Sequence, residues 1–119
     1  MRRWLLAGLM GCVLLFTAMP AHAAEVLQVR NGNLLQVGDH NRTYTVELAC
    51  VALPADGDQA ATDWLRQALP RRTKVNLRPV GNVNGTLVAR VQRLDGNGAS
   101  TDLGEGLVAA GLANSQPGC

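Results

Sequence analysis

The stretch VLQVRNGNLLQVGDHNRTYTVELACV, residues 26–51, decides the fold. Val26 to Arg30 alternates apolar and polar residues, and so does Leu35 to Val37. That is the period-2 pattern of half-buried strands. Asn31-Gly32 lies between them, a dipeptide suited to the positive φ angles of a tight hairpin turn. Gly38-Asp39-His40-Asn41 reads as the next turn. Thr43 to Val51, rich in β-branched and apolar residues, reads as a third strand. The opening is therefore a three-stranded meander.

Downstream the period changes. Pro54 to Asp58 reads as a loop, with Asp58 placed to cap a helix running to about Leu69. Ala61, Trp64, Leu65 and Ala68 share one apolar helical face, and Pro70 ends it. Lys74 to Arg78 alternates again, Gly81 to Gly85 reads as a loop, and Leu87 to Leu94 as a longer strand. Asp95-Gly96-Asn97-Gly98 is a turn. Asp102 with Glu105 three residues on resembles a capping box, opening a helix from Leu103 to about Ala110 that Gly111 ends. The order βββ-α-ββ-α is mainly β with α and predicts a five-stranded OB-fold barrel.

Upstream, Arg2 and Arg3 precede an almost wholly apolar run from Trp4 to Met19, followed by Pro20 and Ala21-His22-Ala23. This is the three-part pattern of a secretory signal peptide, with cleavage expected after Ala23. The run is shorter than the ~20 residues that span a bilayer, so no transmembrane anchor is expected after cleavage. Leu9-Met10-Gly11-Cys12 faintly resembles a lipoprotein box, but the apolar run continues past it. The expectation is residues 1–23 as signal, 24–119 as the folded domain, and a secreted or periplasmic location.

Cleavage alters the composition. Removing residues 1–23 from 119 leaves 96. Losing Arg2 and Arg3 from 11 basic residues leaves nine against nine acidic ones. The formal charge of +2 and pI of 8.7 thus become neutrality, and the hint of a nucleic-acid partner weakens. Tyr44 and Trp64 are the aromatics that stay. Cys50 and Cys119 also stay, a pairable number in an oxidising compartment. A Cys50–Cys119 bridge is favoured over a buried Cys50 thiol with a free terminal Cys119.

Four stretches then resemble the staphylococcal-nuclease (thermonuclease) family. Val29-Arg30-Asn31-Gly32-Asn33-Leu34 is similar to its V-x-D-G-D-T hairpin, and Val46-Glu47-Leu48-Ala49-Cys50-Val51-Ala52-Leu53-Pro54 to its V-R-L-x-G-I-D-A-P-E strand end. Gly85-Thr86-Leu87-Val88-Ala89-Arg90-Val91 is similar to Y-G-R-x-L-A-x-V. Glu105-Gly106-Leu107-Val108-Ala109-Ala110-Gly111-Leu112-Ala113 is similar to N-x-x-L-V-x-x-G-L-A. Together they cover nearly all of the mature chain in order.

The resemblance implies an OB-fold and Ca²⁺-dependent hydrolysis of nucleic-acid phosphodiesters, but not the residues for it. The metal Asp of the hairpin falls at Asn33 and the first Arg at Glu47. The second metal Asp falls at Ala52, the general-base Glu at Ala55, and the second Arg at Thr86. Ca²⁺ takes six to eight oxygen ligands, mostly carboxylate in high-affinity sites. A base and phosphate-neutralising cations are missing too. The expectation is a pseudoenzyme without metal or other cofactor, acting as a binding or structural module for a protein or extracytoplasmic complex. The alternative is a divergent Ca²⁺-dependent nuclease that uses Asp56 or Asp58 as replacement carboxylates.

Arg66, Arg71, Arg72, Lys74 and Arg78 are a candidate patch for phosphates or an acidic partner, weighed against an ordinary solvated surface. Tyr44 is the one candidate base-stacking platform, so nucleic-acid binding is expected to be weak. His40 has no ligand or base pattern around it, and no Cys/His spacing suggests zinc.

Overall fold

The computed structural model describes residues 24–116. The export-signal reading, which falls on residues 1–23, and Cys119 lie outside the described residues. Among the described residues eight strands and two helices follow one another: β1 (Ala24–Asn31), β2 (Leu34–Asp39), β3 (Arg42–Leu48), β4 (Val51–Ala52), α1 (Asp58–Ala68), β5 (Lys74–Val83), β6 (Thr86–Leu94), β7 (Ser100–Asp102), α2 (Leu103–Ala109) and β8 (Asn114–Ser115). The main sheet runs β3-β2-β1-β5-β6-β7. A parallel pairing of β3 with β6, through Val46↔Leu87, Glu47↔Val88 and Leu48↔Ala89, closes it. The result is a five-stranded barrel of β1, β2, β3, β6 and β5, as expected of an OB-fold-like chain.

Alternation builds the interior. Val26, Val29, Leu35, Val37, Val46, Leu48, Val75, Ala89 and Val91 are buried from the strands. Bulges in β1, between Val26 and Gln28 and between Val29 and Asn31, bend that strand around the barrel. α1 adds Ala61 and Leu65, and α2 adds Leu103 and Leu107.

The helix ends show how local chemistry and tertiary demand divide the work. At α2 the Asp102 carboxylate accepts from the Glu105 N–H at 3.0 Å, as the capping pattern predicts. At its far end Leu112 N–H reaches Leu107 C=O (2.9 Å) and Gly111 N–H reaches Val108 C=O (3.0 Å). Gly111 stands at φ 78°, completing a Schellman motif. At α1 the expectation is corrected. Gly57 holds the capping position without a side-chain bond, and Asp58 is the first helical residue. Its carboxylate instead accepts from the Gly32 N–H at 2.9 Å, in the β1–β2 turn. A tertiary donor 26 residues away has taken the oxygen that local logic assigned to the helix end.

Two further expectations are corrected. The third strand does not run to Val51: it stops at Leu48, and Cys50 takes φ 69° before β4 begins. Ala49 N–H gives the last β3–β6 ladder bond, to Ala89 C=O (2.9 Å); the left-handed Cys50 then turns the chain so that β4 pairs with β8. The Gly81–Gly85 loop is largely strand. β5 continues through Val83, carried past Pro79 by a bulge, and turns only at Asn84-Gly85.

Two ion pairs clamp strand junctions. Lys74 Nζ meets Glu25 Oε2 at 2.9 Å where β1 and β5 pair. Arg93 Nε donates to Asp95 at 2.8 Å, and Thr101 Oγ1 donates to the other Asp95 oxygen at 3.0 Å, tying the β6–β7 turn. Lys74 holds the Glu25 carboxyl below its ordinary value, and Arg93 with Thr101 does the same for Asp95.

A carboxyl lowered in the folded state contributes above its unfolded pKa and loses that contribution as pH falls through the folded value. Both contributions therefore vanish on acidification. Urea midpoints should fall between about pH 5 and pH 2, and less steeply in Lys74→Met, which frees Glu25.

A second expected outcome concerns Gly32. A Cβ there would meet Ala61 Cβ and the Asp58 carbonyl at 3.0 Å, both on α1, and Leu53 Cδ1 at 2.7 Å. Gly32→Ala should lower unfolding free energy by roughly 1–3 kcal/mol in urea titration, through overpacking.

Candidate functional site

The positions picked out by the nuclease resemblance occupy one end and the outer wall of the barrel. Asn33 follows the hairpin turn, where its N–H is held by Asn31 Oδ1 (3.2 Å) and its carbonyl accepts from Leu48 N–H (2.9 Å). Glu47 is exposed on β3, opposite Leu34 on one side and Val88 on the other. Thr86, two residues before Val88, begins β6 on the same alternating row. Ala52 sits in β4, paired with Asn114, and Ala55 is exposed in the turn before α1.

The barrel thus presents Glu47 and Thr86 on one outer row with Val88 and Arg90, and the two positions where the resemblance places arginine carry a glutamate and a neutral threonine. Neither alanine side chain carries an oxygen. The two replacement carboxylates do not repair this. Asp58 is committed to the Gly32 N–H. Asp56 is exposed and makes no hydrogen bond or ion pair among the described residues. Among those residues no group of three or more His, Cys, Asp or Glu side chains is arranged to hold a metal ion. At the positions the resemblance assigns to the metal, Asn33 and Ala52 supply no carboxylate, whereas high-affinity Ca²⁺ sites draw on several.

The basic residues are dispersed by their partners. Arg66 Nη2 donates to the Val29 carbonyl at 3.4 Å, fastening α1 to β1. Lys74 is paired with Glu25. Arg71 and Arg72 are exposed in the turn after α1, with Arg72 at φ 74°. Arg78 lies further along β5, directly across from Arg90 of β6. Tyr44 is half-buried at the barrel mouth, beside a hollow of about 260 Å³ that Leu77, Pro79 and Leu87 also line. Trp64 is half-buried against the core on α1, so neither aromatic stands as a free platform. His40 occupies the β2–β3 turn at φ 57°, 3.7 Å from Asp39.

One feature was not foreseen. A cleft of about 280 Å³ opens between α2, the Ala49-Cys50 turn and β6. Arg90 forms one wall, Asp102 and Glu105 another, and Val51 and Val108 are among its apolar residues. Its only sequence signal is the capping pair Asp102 and Glu105. Arg90 joins them through register, which places the strand position of Arg90 beside the start of α2.

Replacing Asp58 tests whether its carboxylate serves the hairpin. Asp58→Ala should cost about 1–3 kcal/mol in urea unfolding, because it leaves the half-buried Gly32 N–H without its acceptor. Asp56→Ala should stay within about 0.5 kcal/mol of the parent.

Comparison with protein-family models and with curated proteins returns no match for this chain.

Proposed function

We propose that this chain is an exported, nuclease-like OB-fold module that acts by binding a partner and not by cutting nucleic acid. The observation that carries the reading is the side-chain set on the nuclease-like wall. Asn33, Glu47, Ala52, Ala55 and Thr86 stand at the catalytic positions, while Asp58, the nearest replacement, is engaged by Gly32. Removing a metal carboxylate alone slows such chemistry. With both carboxylates, the base and both phosphate cations replaced, and Glu47 added, none of the family's own groups remains to stabilise the charge that develops on the phosphoryl oxygens. The partner is a protein or extracytoplasmic complex, in a secreted or periplasmic setting.

The competing reading, a Ca²⁺-dependent nuclease, depends on Asp56 alone. Plasmid DNA incubated with the purified mature chain and Ca²⁺ distinguishes the two. The expected result is intact supercoiled DNA; cutting that a chelator abolishes would overturn the binding reading.

A Cys50–Cys119 bridge belongs to the same proposal. It is supported by the path of the chain: β8 pairs with β4, and Gln116 N–H donates to the Cys50 carbonyl at 2.9 Å. That bond returns the chain to Cys50 three positions before Cys119. The bridge would close a loop of about 70 residues, worth up to ~4 kcal/mol in the loop-entropy treatment. Alkylation of unreduced, denatured protein followed by intact-mass measurement should add no label; two labels would refute the bridge.

A further inference from the structure

We infer that Arg78 and Arg90 form a carboxylate-binding site for an acidic segment of a partner protein. The inference rests on the binding reading above and names its partner by chemistry. Arg78 of β5 and Arg90 of β6 are directly opposite in an antiparallel ladder. Their side chains therefore leave the same face of the sheet, with Cβ atoms about 5 Å apart. Ala89 and Val91, the neighbours of Arg90, are buried in the core, so that face is the outer one. Both arginines are exposed. Neither makes an ion pair or hydrogen bond among the described residues, whereas Arg66, Lys74 and Arg93 all do. Like charges facing each other across a ladder are destabilising. A shared anion removes that repulsion, and two guanidinium forks can each donate to a carboxylate oxygen.

The surroundings select the anion. Glu47 stands on the same outer face, opposite Val88, one pleat from Arg90. Asp102 and Glu105 share the cleft wall with Arg90 on the other flank. A nucleic-acid strand, with a charge at every phosphate, would lay neighbouring phosphates against these carboxylates. A single carboxylate between the two arginines meets no such repulsion. No aromatic stands on this face to stack a base, since Trp64 lies on α1 and Tyr44 at the barrel mouth.

The apolar surface is of the matching kind. Val83 and Val80, the exposed large hydrophobic residues, lie on the same hairpin at 59% and 54% exposure. Val83 pairs with Thr86, two register steps beyond the arginines on the same alternating face. An extended peptide carrying a carboxylate and, four residues on, an apolar side chain would meet the arginine pair and then this apolar tip.

The test uses the isotope-labelled mature chain and a capped hexapeptide, Ser-Glu-Ser-Thr-Ser-Val, which carries one carboxylate and an apolar side chain four residues on, followed by amide shifts. Shifts should centre on Arg78, Arg90 and Val83. Affinity should drop about tenfold or more in Arg90→Gln and in Arg78→Gln, as loss of a charge-assisted contact implies, and less in Arg90→Lys. The Arg90→Lys variant keeps the strand and the charge, so it separates recognition from folding. Equal binding of the Ser-Gln-Ser-Thr-Ser-Val peptide, unchanged binding by Arg90→Gln, or tighter binding of oligodeoxythymidine at the pair would each overturn the site. Failure of the peptide with plasmid left intact removes this site alone; plasmid cutting removes the binding reading beneath it.

Discussion

Three parallel residue pairs, Val46↔Leu87, Glu47↔Val88 and Leu48↔Ala89, turn an open sheet into a barrel. Everything else depends on that closure. It removes the edges that β3 and β6 would otherwise expose along these residues. It buries Val46, Leu48 and Ala89 against Val26, Leu35, Val37 and Val91 in one core. Because a strand shows alternate residues to opposite faces, the pairing that sends Leu48 and Ala89 inward also sends Glu47, Val88 and Arg90 outward. The composition of the outer wall is a consequence of the core's register.

The closure also explains how an OB-fold-like barrel can stand with few constraints on its outward side chains. The hairpin turn at Gly32 is held by Asp58 and packs closely on Ala61 of α1. The β4 segment is held by β8. Both are backbone arrangements that place no demand on Asn33, Ala52 or Ala55. Shape and chemistry are therefore separable here. The framework needs glycine at 32, apolar residues inside and a carboxylate at 58. It is indifferent to what the outward positions carry.

Most elements were legible from local pattern. Alternation located the barrel strands, and the i, i+3, i+4 spacing of Ala61, Trp64 and Leu65 located α1. Asp102 and Gly111 marked the ends of α2 with the local bonds that propensity anticipates. The misreadings share one cause. Asp58, the end of β3 and the extension of β5 through Val83 are each settled by a partner far along the chain: the Gly32 N–H, strand β8 that draws off β4, and the facing strand β6. A local rule correctly identifies a hydrogen-bonding group but not which competitor for it wins.

The candidate site divides in the same way. The emptied catalytic positions could be read from identity alone, since alanine at 52 and 55 offers no oxygen in any conformation. The basic run from Arg66 to Arg78 read as one patch among alternatives; folding separated it, because Arg66 and Lys74 found partners in β1. Arg78 and Arg90, 12 residues apart, became neighbours only through the β5–β6 register. The sequence by itself determined the alternation, the ends of α2 and the absence of side-chain oxygens at positions 52 and 55, because these follow from residue type and short-range geometry. Only the tertiary structure decided which charges face one another, because strand pairing joins residues by register and not by distance along the chain.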